Sequence, residues 1–223
     1  MTPTVTAIVP VFNGERFVAD AIRSILQQTV PPQEIIVVND GSSDDTDRVV
    51  RGFGDQLRYL RQENQGPAAA RNAGIAMATG DFICFLDADD LWHPEKQQRE
   101  LDRLAERPDL EIVFCGMRNV AFDEQSGIDP RRWPVIPISP CTMLARRAVF
   151  ERIGVFDPKL RRGEDTEWYV RMMMRQVKYE VMPEILLERR IHGQNLTTDH
   201  PSSPMDVVPL LKQVLDQRRR EGW

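Results

Sequence analysis

The sequence predicts an α/β fold built on a mainly parallel, Rossmann-like sheet flanked by helices. Over residues 1–90, short apolar runs alternate with segments whose apolar residues recur at helical spacing. The main apolar runs also stop in polar or glycine-bearing residues, at Pro10 to Asn13, Asn39 to Ser42 and Asp87 to Asp90. Buried strands alternating with helices imply parallel pairing through right-handed crossovers. Ligands of such sheets bind beyond the carboxyl ends of the strands, where these polar stops fall.

Thr4 to Phe12 (TVTAIVPVF) reads as the first strand, closed by Asn13-Gly14. Glu15 to Gln28 follows as a helix, with Phe17, Ala21, Ile22, Ile25 and Leu26 on one face. Glu34 to Val38 (EIIVV) is a second buried strand, stopped by Asn39-Asp40-Gly41-Ser42. Asp44 to Gly52 reads as a helix with acidic residues in its first turn, where the helix dipole favours them. Leu57 to Arg61 is a short strand, and Pro67 to Ala78 an alanine-rich helix closed by Gly80. Phe82 to Leu86 (FICFL) runs straight into Asp87-Ala88-Asp89-Asp90.

Past Asp90 the pattern loosens. Pro94 to Glu106 reads as a helix and Leu110 to Cys115 as a strand. The stretch from Asp123 to Pro140 is proline-rich and structure-poor, which inside a compact domain marks a functional or mobile segment. Thr142 to Ala145 leads into a helix through Phe150, Asp165 to Arg175 is helical, and Lys178 to Leu187 is extended. Val207 to Arg220 is an amphipathic helix with Val207, Leu210, Leu211, Val214 and Leu215 on one face.

The 223 residues, 41% hydrophobic and 28% charged, are ordinary for a soluble globular protein. A net charge of −5 lacks the electrostatic footprint of a nucleic-acid binder and leaves more use for cations. Cys84, Cys115 and Cys141 follow no metal or redox spacing and read as buried thiols in a reducing cytoplasm. With no window approaching a membrane span, a cytoplasmic protein is expected, with at most a peripheral membrane contact.

Three carboxylates directly after a core strand repel one another unless a cation or solvent offsets the repulsion. Alternation puts Asp87 and Asp89 on one side of the chain, and hard oxygen ligands suit Mg²⁺ or Mn²⁺ bridging substrate phosphates. Asp90, before Leu91-Trp92, reads as a cap of the helix that follows. Asp40 is either a turn former or a partner for a nucleobase edge. Arg71, set among alanines, either snorkels from a surface helix or reaches a base or phosphate. Glu164 and Asp165 open a helix, where carboxylates cap well, and either can also serve as a general base toward a hydroxyl. His192, in RIHGQNLT, is a candidate metal ligand on a loop.

These residues resemble the family-2 glycosyltransferases of the GT-A fold, from Thr6 to about Thr198. The segments IVPVFNGERFVADAIRSILQQ, EIIVVNDGSSDDT, ENQGPAAARNAG, GDFICFLDADD, LARRAVFERIGVFD, RRGEDTEW and RIHGQNLT occur in family order with family-like spacing. The resemblance implies a nucleotide-binding half over residues 1–90, an acceptor-binding half over 91–200 and an appended helix over 201–223. Pro10 and Val11 would form a main-chain platform beside base and ribose, with Asp40, Asn64 and Arg71 as nucleotide contacts. Asp87-Ala88-Asp89 would be the D-x-D motif, Asp89 binding the metal directly and Asp87 lying nearer the ribose. His192 would contact the metal or diphosphate, Asp165 would be the catalytic base, and Glu164 would support it or the acceptor.

The implied activity is inverting, metal-dependent transfer from a nucleoside-diphosphate sugar, UDP before GDP or dTDP, to a hydroxyl acceptor that is a glycan, lipid-linked or a small molecule. The implied setting is cell-surface polysaccharide or glycoconjugate assembly. Absence of a Q-x-x-R-W element points to single-sugar addition. Homodimerisation and a membrane contact through Arg218, Arg219 and Arg220 stay open. A nucleotidyltransferase would need a basic glycine-rich loop where PVFNGE stands, and neither G-x-G-x-x-G nor a P-loop occurs. A nucleotide-sugar-binding module without turnover is the non-enzyme alternative.

Overall fold

The computed structural model describes residues 3–123, 128–132, 135, 138–160, 163–192 and 195. The helix expected over residues 201–223 lies outside them, as do parts of the proline-rich stretch.

Eight strands form one sheet: β1 (Val5–Val11), β2 (Glu34–Asn39), β3 (Arg58–Arg61), β4 (Phe82–Phe85), β5 (Leu91–Trp92), β6 (Ile112–Ala121), β7 (Met143–Arg146) and β8 (Tyr179–Ile191). Their order across the sheet is β3-β2-β1-β4-β7-β6-β8-β5. The β3-β2-β1-β4 part is parallel throughout, as the alternation of buried runs and helices requires. Beyond β4 the sheet is mixed: β7 is antiparallel to β4 and β6, β8 is parallel to β6, and β5 is antiparallel to β8.

Among the described residues six α-helices cover both faces: α1 (Val18–Leu26), α2 (Thr46–Arg51), α3 (Pro67–Met77), α4 (Lys96–Glu106), α5 (Arg147–Ile153) and α6 (Glu164–Met174). The two-residue alternation of β1 decides which layer each side chain joins. Val5, Ala7, Val9 and Val11 face a core shared with α1, α2 and α4. Ile8, on the opposite face, joins Ile83, Phe85, Ile112 and Phe114 beneath α3, α5 and α6. Trp168 of α6 is fully buried there, stacked on Phe150 at 5.1 Å, with its indole N–H donated to the Gly154 carbonyl.

The expected strands and helices form in chain order, with differences of detail past Asp90. Thr142 to Ala145, expected to lead into a helix through Phe150, does lead into α5, and its last three residues form part of strand β7, wedged between β4 and β6. Its residues lack β-branching, and pairing on both edges overrides their local preference. Leu91-Trp92 is a two-residue strand against β8, so Asp90 does not cap a helix. α4 begins only at Lys96, past Pro94. Finally, β8 extends four residues beyond Leu187, to Ile191, which carries the chain across the mouth of the parallel half. Among the described residues no helix is long and apolar enough to cross a membrane.

The close seat of α3 on β1 rests on Gly74. A Cβ there would stand 2.4 Å from Ile8 Cγ2, a distance no packed core tolerates. Gly74→Ala is therefore expected to destabilise by about 1–3 kcal/mol, although alanine favours a helix over glycine by about 1 kcal/mol. Urea unfolding of Gly74→Ala, alone and with Ile8→Ala, checks this. The glycine substitution should lose its cost in the Ile8→Ala background, and a neutral or stabilising Gly74→Ala would contradict it.

Candidate active site

The carboxyl ends of β1, β2 and β4 meet at one edge of the parallel half, and two loops there are joined by side chain to backbone bonds. The Asn13 amide donates to Ser42 Oγ (2.9 Å), Asn13 Oδ1 accepts from the Ser43 amide (2.9 Å), and the Gly14 amide donates to Thr46 Oγ1 (2.9 Å). Two more bonds cross the same seam, the Glu15 amide donating to Asp44 Oδ2 and the Asp45 amide to Glu15 Oε2. Burial pushes the Asp44 carboxyl up, but hydrogen bonds from Thr46 and the Glu15 amide outweigh it and hold the group below its usual value. Pro10 and Val11 are buried at the end of β1, and the Val11 carbonyl accepts the Asp40 amide at 2.8 Å. The next residue, Phe12, is an aromatic ring with 52% of its surface exposed.

Asp40 is almost fully buried and organises the loop that leads into α3. Its Oδ1 accepts from Gln62 Nε2 (2.8 Å) and the Gln65 amide (3.0 Å), and its Oδ2 accepts from the Gly66 amide (2.8 Å). Gly41, with φ of +79°, lets this loop approach: a Cβ would lie 2.8 Å from the Asn64 nitrogen. Asn64 is exposed and, with Gly41, Arg61, Gln62 and Glu63, lines a shallow cleft beside Asp40.

Arg71 neither snorkels nor points to solvent. Its side chain is buried, with NH2 donating to Asp87 Oδ1 (3.0 Å) and NH1 to Glu164 Oε1 (2.9 Å). Burial would pull the guanidinium down, yet Asp87, Cys141 and Glu164 raise it above its usual value, so it stays charged. Burial pushes the Glu164 carboxyl up, the Arg71 charge opposing that push. One cation therefore ties the D-x-D run after β4 to the first turn of α6, and Asp165 stands beside the tie. Asp165 Oδ1 accepts from the Thr166 amide (2.7 Å), whereas its other oxygen has no partner among the described residues. Asn72, the neighbour of Arg71, fixes the approach to α6 by exchanging two bonds with the Phe156 backbone, at 2.7 and 3.0 Å.

Asp89 faces the end of β8. Its Oδ2 lies 3.1 Å from His192 Nε2 and accepts from Asn195 Nδ2 at 3.0 Å. Ala88, between the two aspartates, packs partly buried on the core. Arg190 holds this run from behind: its amide donates to Asp90 Oδ1 (3.1 Å), and its guanidinium donates to the Asp89 carbonyl and the Phe17 carbonyl. The His192 ring stacks on Phe17 with centroids 4.3 Å apart. All the D-x-D, Arg71, Glu164, Asp165 and His192 positions singled out in the sequence thus gather around one cleft edge.

Three further residues carry no recognisable sequence signal. Asn195 is one of several polar residues in RIHGQNLT, and Phe12 reads in the sequence only as the end of an apolar strand. Tyr169, one helical turn after Asp165, has a buried hydroxyl with no partner among the described residues.

Burial, and then the charges of Asp89 and Asp87, push the Asp90 carboxyl well above its usual value. Its protonated form is favoured in the folded state, so its contribution to stability is full at low pH and is lost as pH rises through the raised value. Asp90→Asn keeps an acceptor for the Arg190 amide and removes the buried charge. Its stability advantage over the wild type, and with it the difference in Tm, should be smallest at about pH 4 and widen toward about pH 8. Thermal melts across that range check the slope, and a pH-independent difference would contradict it.

Comparison with known proteins bears on the fold and the family. The model of the family described as glycosyl transferase family 2 matches residues 6–156. An uncharacterised glycosyltransferase of Rickettsia prowazekii is 32% identical over 213 residues, covering 88% of this chain and 66% of the relative. The uncharacterised glycosyltransferase EpsJ of Bacillus subtilis is 30% identical over 236 residues, covering 96% and 68%. The chain thus spans about two thirds of the length of these relatives. Among solved structures, S. aureus TarS 1-349 in complex with UDP-GlcNAc superposes with a TM-score of 0.75 at 20% identity, covering 95% of this chain and 65% of that one. The mannosyltransferase PcManGT from Pyrobaculum calidifontis, in complex with GDP-Man and Mn²⁺, gives 0.71 at 23% identity, covering 87% and 59%. These two share the fold, and the family match over more than half of the sequence settles the affiliation: the chain belongs to glycosyl transferase family 2.

Proposed function

We propose that this domain transfers a sugar from a uridine or thymidine diphosphate sugar to a hydroxyl acceptor, with inversion and with Mn²⁺ or Mg²⁺ bound. The observation that carries the proposal is Arg71, which joins Asp87 of the D-x-D run to Glu164, the neighbour of Asp165. Donor-side and acceptor-side carboxylates are thereby held in one frame.

The valence of Asp40 among the described residues supports this donor class. A carboxylate offers about four lone-pair sites. Three are taken by Gln62, Gln65 and Gly66, with both sites of Oδ1 filled. One remains, on Oδ2. Uracil and thymine present a single ring N–H between two carbonyls, which suits one site. Guanine presents adjacent N1–H and N2–H donors, which need two. Exposed Phe12 adds a ring on which a base can stack, beside the main chain of Pro10 and Val11. Asn64 lies on the open side of the same cleft, within reach of the nucleotide.

The donor set fits a hard divalent cation. Two ligand atoms at right angles on an ion with bonds of about 2.1 Å stand about 3.0 Å apart. Asp89 Oδ2 and His192 Nε2 are 3.1 Å apart, and 29% of the Asp89 side chain remains open to solvent. Asp89 and His192 would hold the ion, with Asp87 beside it toward the ribose. When bound, the ion supplies Lewis acidity that neutralises charge on the departing diphosphate.

The protein's own groups then divide the work. Asp165 accepts the proton of the acceptor hydroxyl through its unpartnered oxygen while that hydroxyl attacks the anomeric carbon opposite the leaving diphosphate. A single displacement with a single base inverts the configuration. Glu164, engaged by Arg71, orients the first turn of α6 and thus Asp165 itself. Arg71 in turn holds the Asp87 carboxylate in place.

The test is a thermal-shift panel of UDP, dTDP and GDP, with and without Mn²⁺, on the wild type and on Asp165→Asn. UDP release from a set of UDP-sugars, with water as acceptor, is measured in parallel. UDP or dTDP with Mn²⁺ should raise Tm in both proteins and GDP should not. Asp165→Asn should lose about 10²–10⁴-fold in turnover, the usual contribution of a general base. Unchanged turnover would remove Asp165 as the base, and a shift with GDP alone would overturn the donor class.

A further inference from the structure

We infer that Asn195 is a positioning residue that preforms the metal site by locking Asp89 and His192 to each other. The inference rests on the metal reading of Asp89 and His192 given above.

β8 ends at Ile191, so His192 stands at the point where the chain leaves the sheet. Something other than the strand ladder must hold its ring against Asp89. The buried amide of Asn195 does so from both ends. Its Oδ1 accepts the His192 backbone N–H at 2.6 Å, and the Asn195 backbone N–H donates back to the His192 carbonyl at 3.4 Å. Its Nδ2 donates to the Arg190 carbonyl (3.0 Å) and to Asp89 Oδ2 (3.0 Å), and lies 3.1 Å from His192 Nε2. Asp89 Oδ2, His192 Nε2 and Asn195 Nδ2 thus form a nearly equilateral triangle with sides of 3.1, 3.0 and 3.1 Å. Stacking on Phe17 fixes the remaining freedom of the imidazole.

The residue type matters as much as the position. A carboxamide donates to Asp89 without a charge and without a titration of its own. It fixes the carboxylate rotamer while leaving that carboxylate's full negative charge for a cation. A lysine here would neutralise Asp89, and an aspartate would add a fourth carboxylate to Asp87, Asp89 and Asp90. Partners that orient metal ligands typically contribute a factor of about 10–100 in metal affinity.

The experiment measures Mn²⁺ binding to the full chain by the loss of free Mn²⁺ electron-paramagnetic signal, with UDP saturating. Wild type, Asn195→Ala, Asn195→Ser, His192→Ala and Asp89→Asn are compared. UDP affinity in the absence of metal is measured alongside. Asn195→Ala should weaken Mn²⁺ binding at least tenfold and leave metal-free UDP affinity within about twofold of wild type, a split that general loosening of the fold would not produce. Asn195→Ser provides the same readout should the alanine variant fail to fold. Wild-type Mn²⁺ affinity in the Asn195 variants, with weakened binding in His192→Ala and Asp89→Asn, would overturn the positioning role alone. Equal Mn²⁺ binding in all five proteins would overturn the metal reading beneath it.

Discussion

Arg71 is buried although it leaves an alanine-rich helix, and its terminal nitrogens divide between buried Glu164 and the more open Asp87. Much of the site follows from that fork. Ala68 and Ala70 are buried beside it, so the backbone of α3 can lie close enough to the sheet for one long side chain to span the gap to α6. Removing Glu164 would leave the buried Arg71 charge with only the more exposed Asp87 to offset it, and losing a partner of a buried pair is strongly destabilising. Asp87, Arg71 and Glu164 consequently behave as one unit. The position of Asp165 is inherited from that unit, reinforced by the Asn72–Phe156 exchange next door.

A second arginine works from the opposite side. Arg190 binds the Asp89 carbonyl, the Phe17 carbonyl and Asp20 with its guanidinium, and Asp90 with its amide. The D-x-D run is thus held at Asp87 by a side chain of α3 and at Asp89-Asp90 by the end of β8. Neither clamp takes the outward oxygen of Asp89, which is left to His192 and Asn195. On the nucleotide side the β1–α1 and β2–α2 loops are laced by Asn13, Ser42, Thr46, Asp44 and Glu15. The cleft is therefore shaped before any ligand arrives, and preorganisation of this kind lowers the ordering cost of binding.

The parallel half was legible because its physics is local. Runs such as TAIVPV and EIIVV can only be buried strands, and polar stops mark their ligand-facing ends. The aspartates of the D-x-D run stood out because carboxylates after a core strand need an explanation. What was not legible depends on distant pairing. Met143 to Ala145 has no strand preference of its own and becomes β7 only because β4 and β6 flank it. Leu91-Trp92 is too short to signal a strand before β8 is in place. Arg71 left two readings open, since nothing local says that Glu164, 93 positions away, will meet it. Asn195 carries no local signal either, because its partner Asp89 lies 106 positions away.

The central claim is that the D-x-D run and the end of β8 build one cation site beside the bound diphosphate. Crystals grown with UDP and Mn²⁺, measured at a wavelength where manganese scatters anomalously, test it directly. The account predicts a single strong peak about 2.0–2.4 Å from an Asp89 carboxylate oxygen and from His192 Nε2, with diphosphate oxygens completing the shell. A peak held by Asp87, Asp90 and Cys141 instead, or bound UDP with no peak near Asp89, would contradict it.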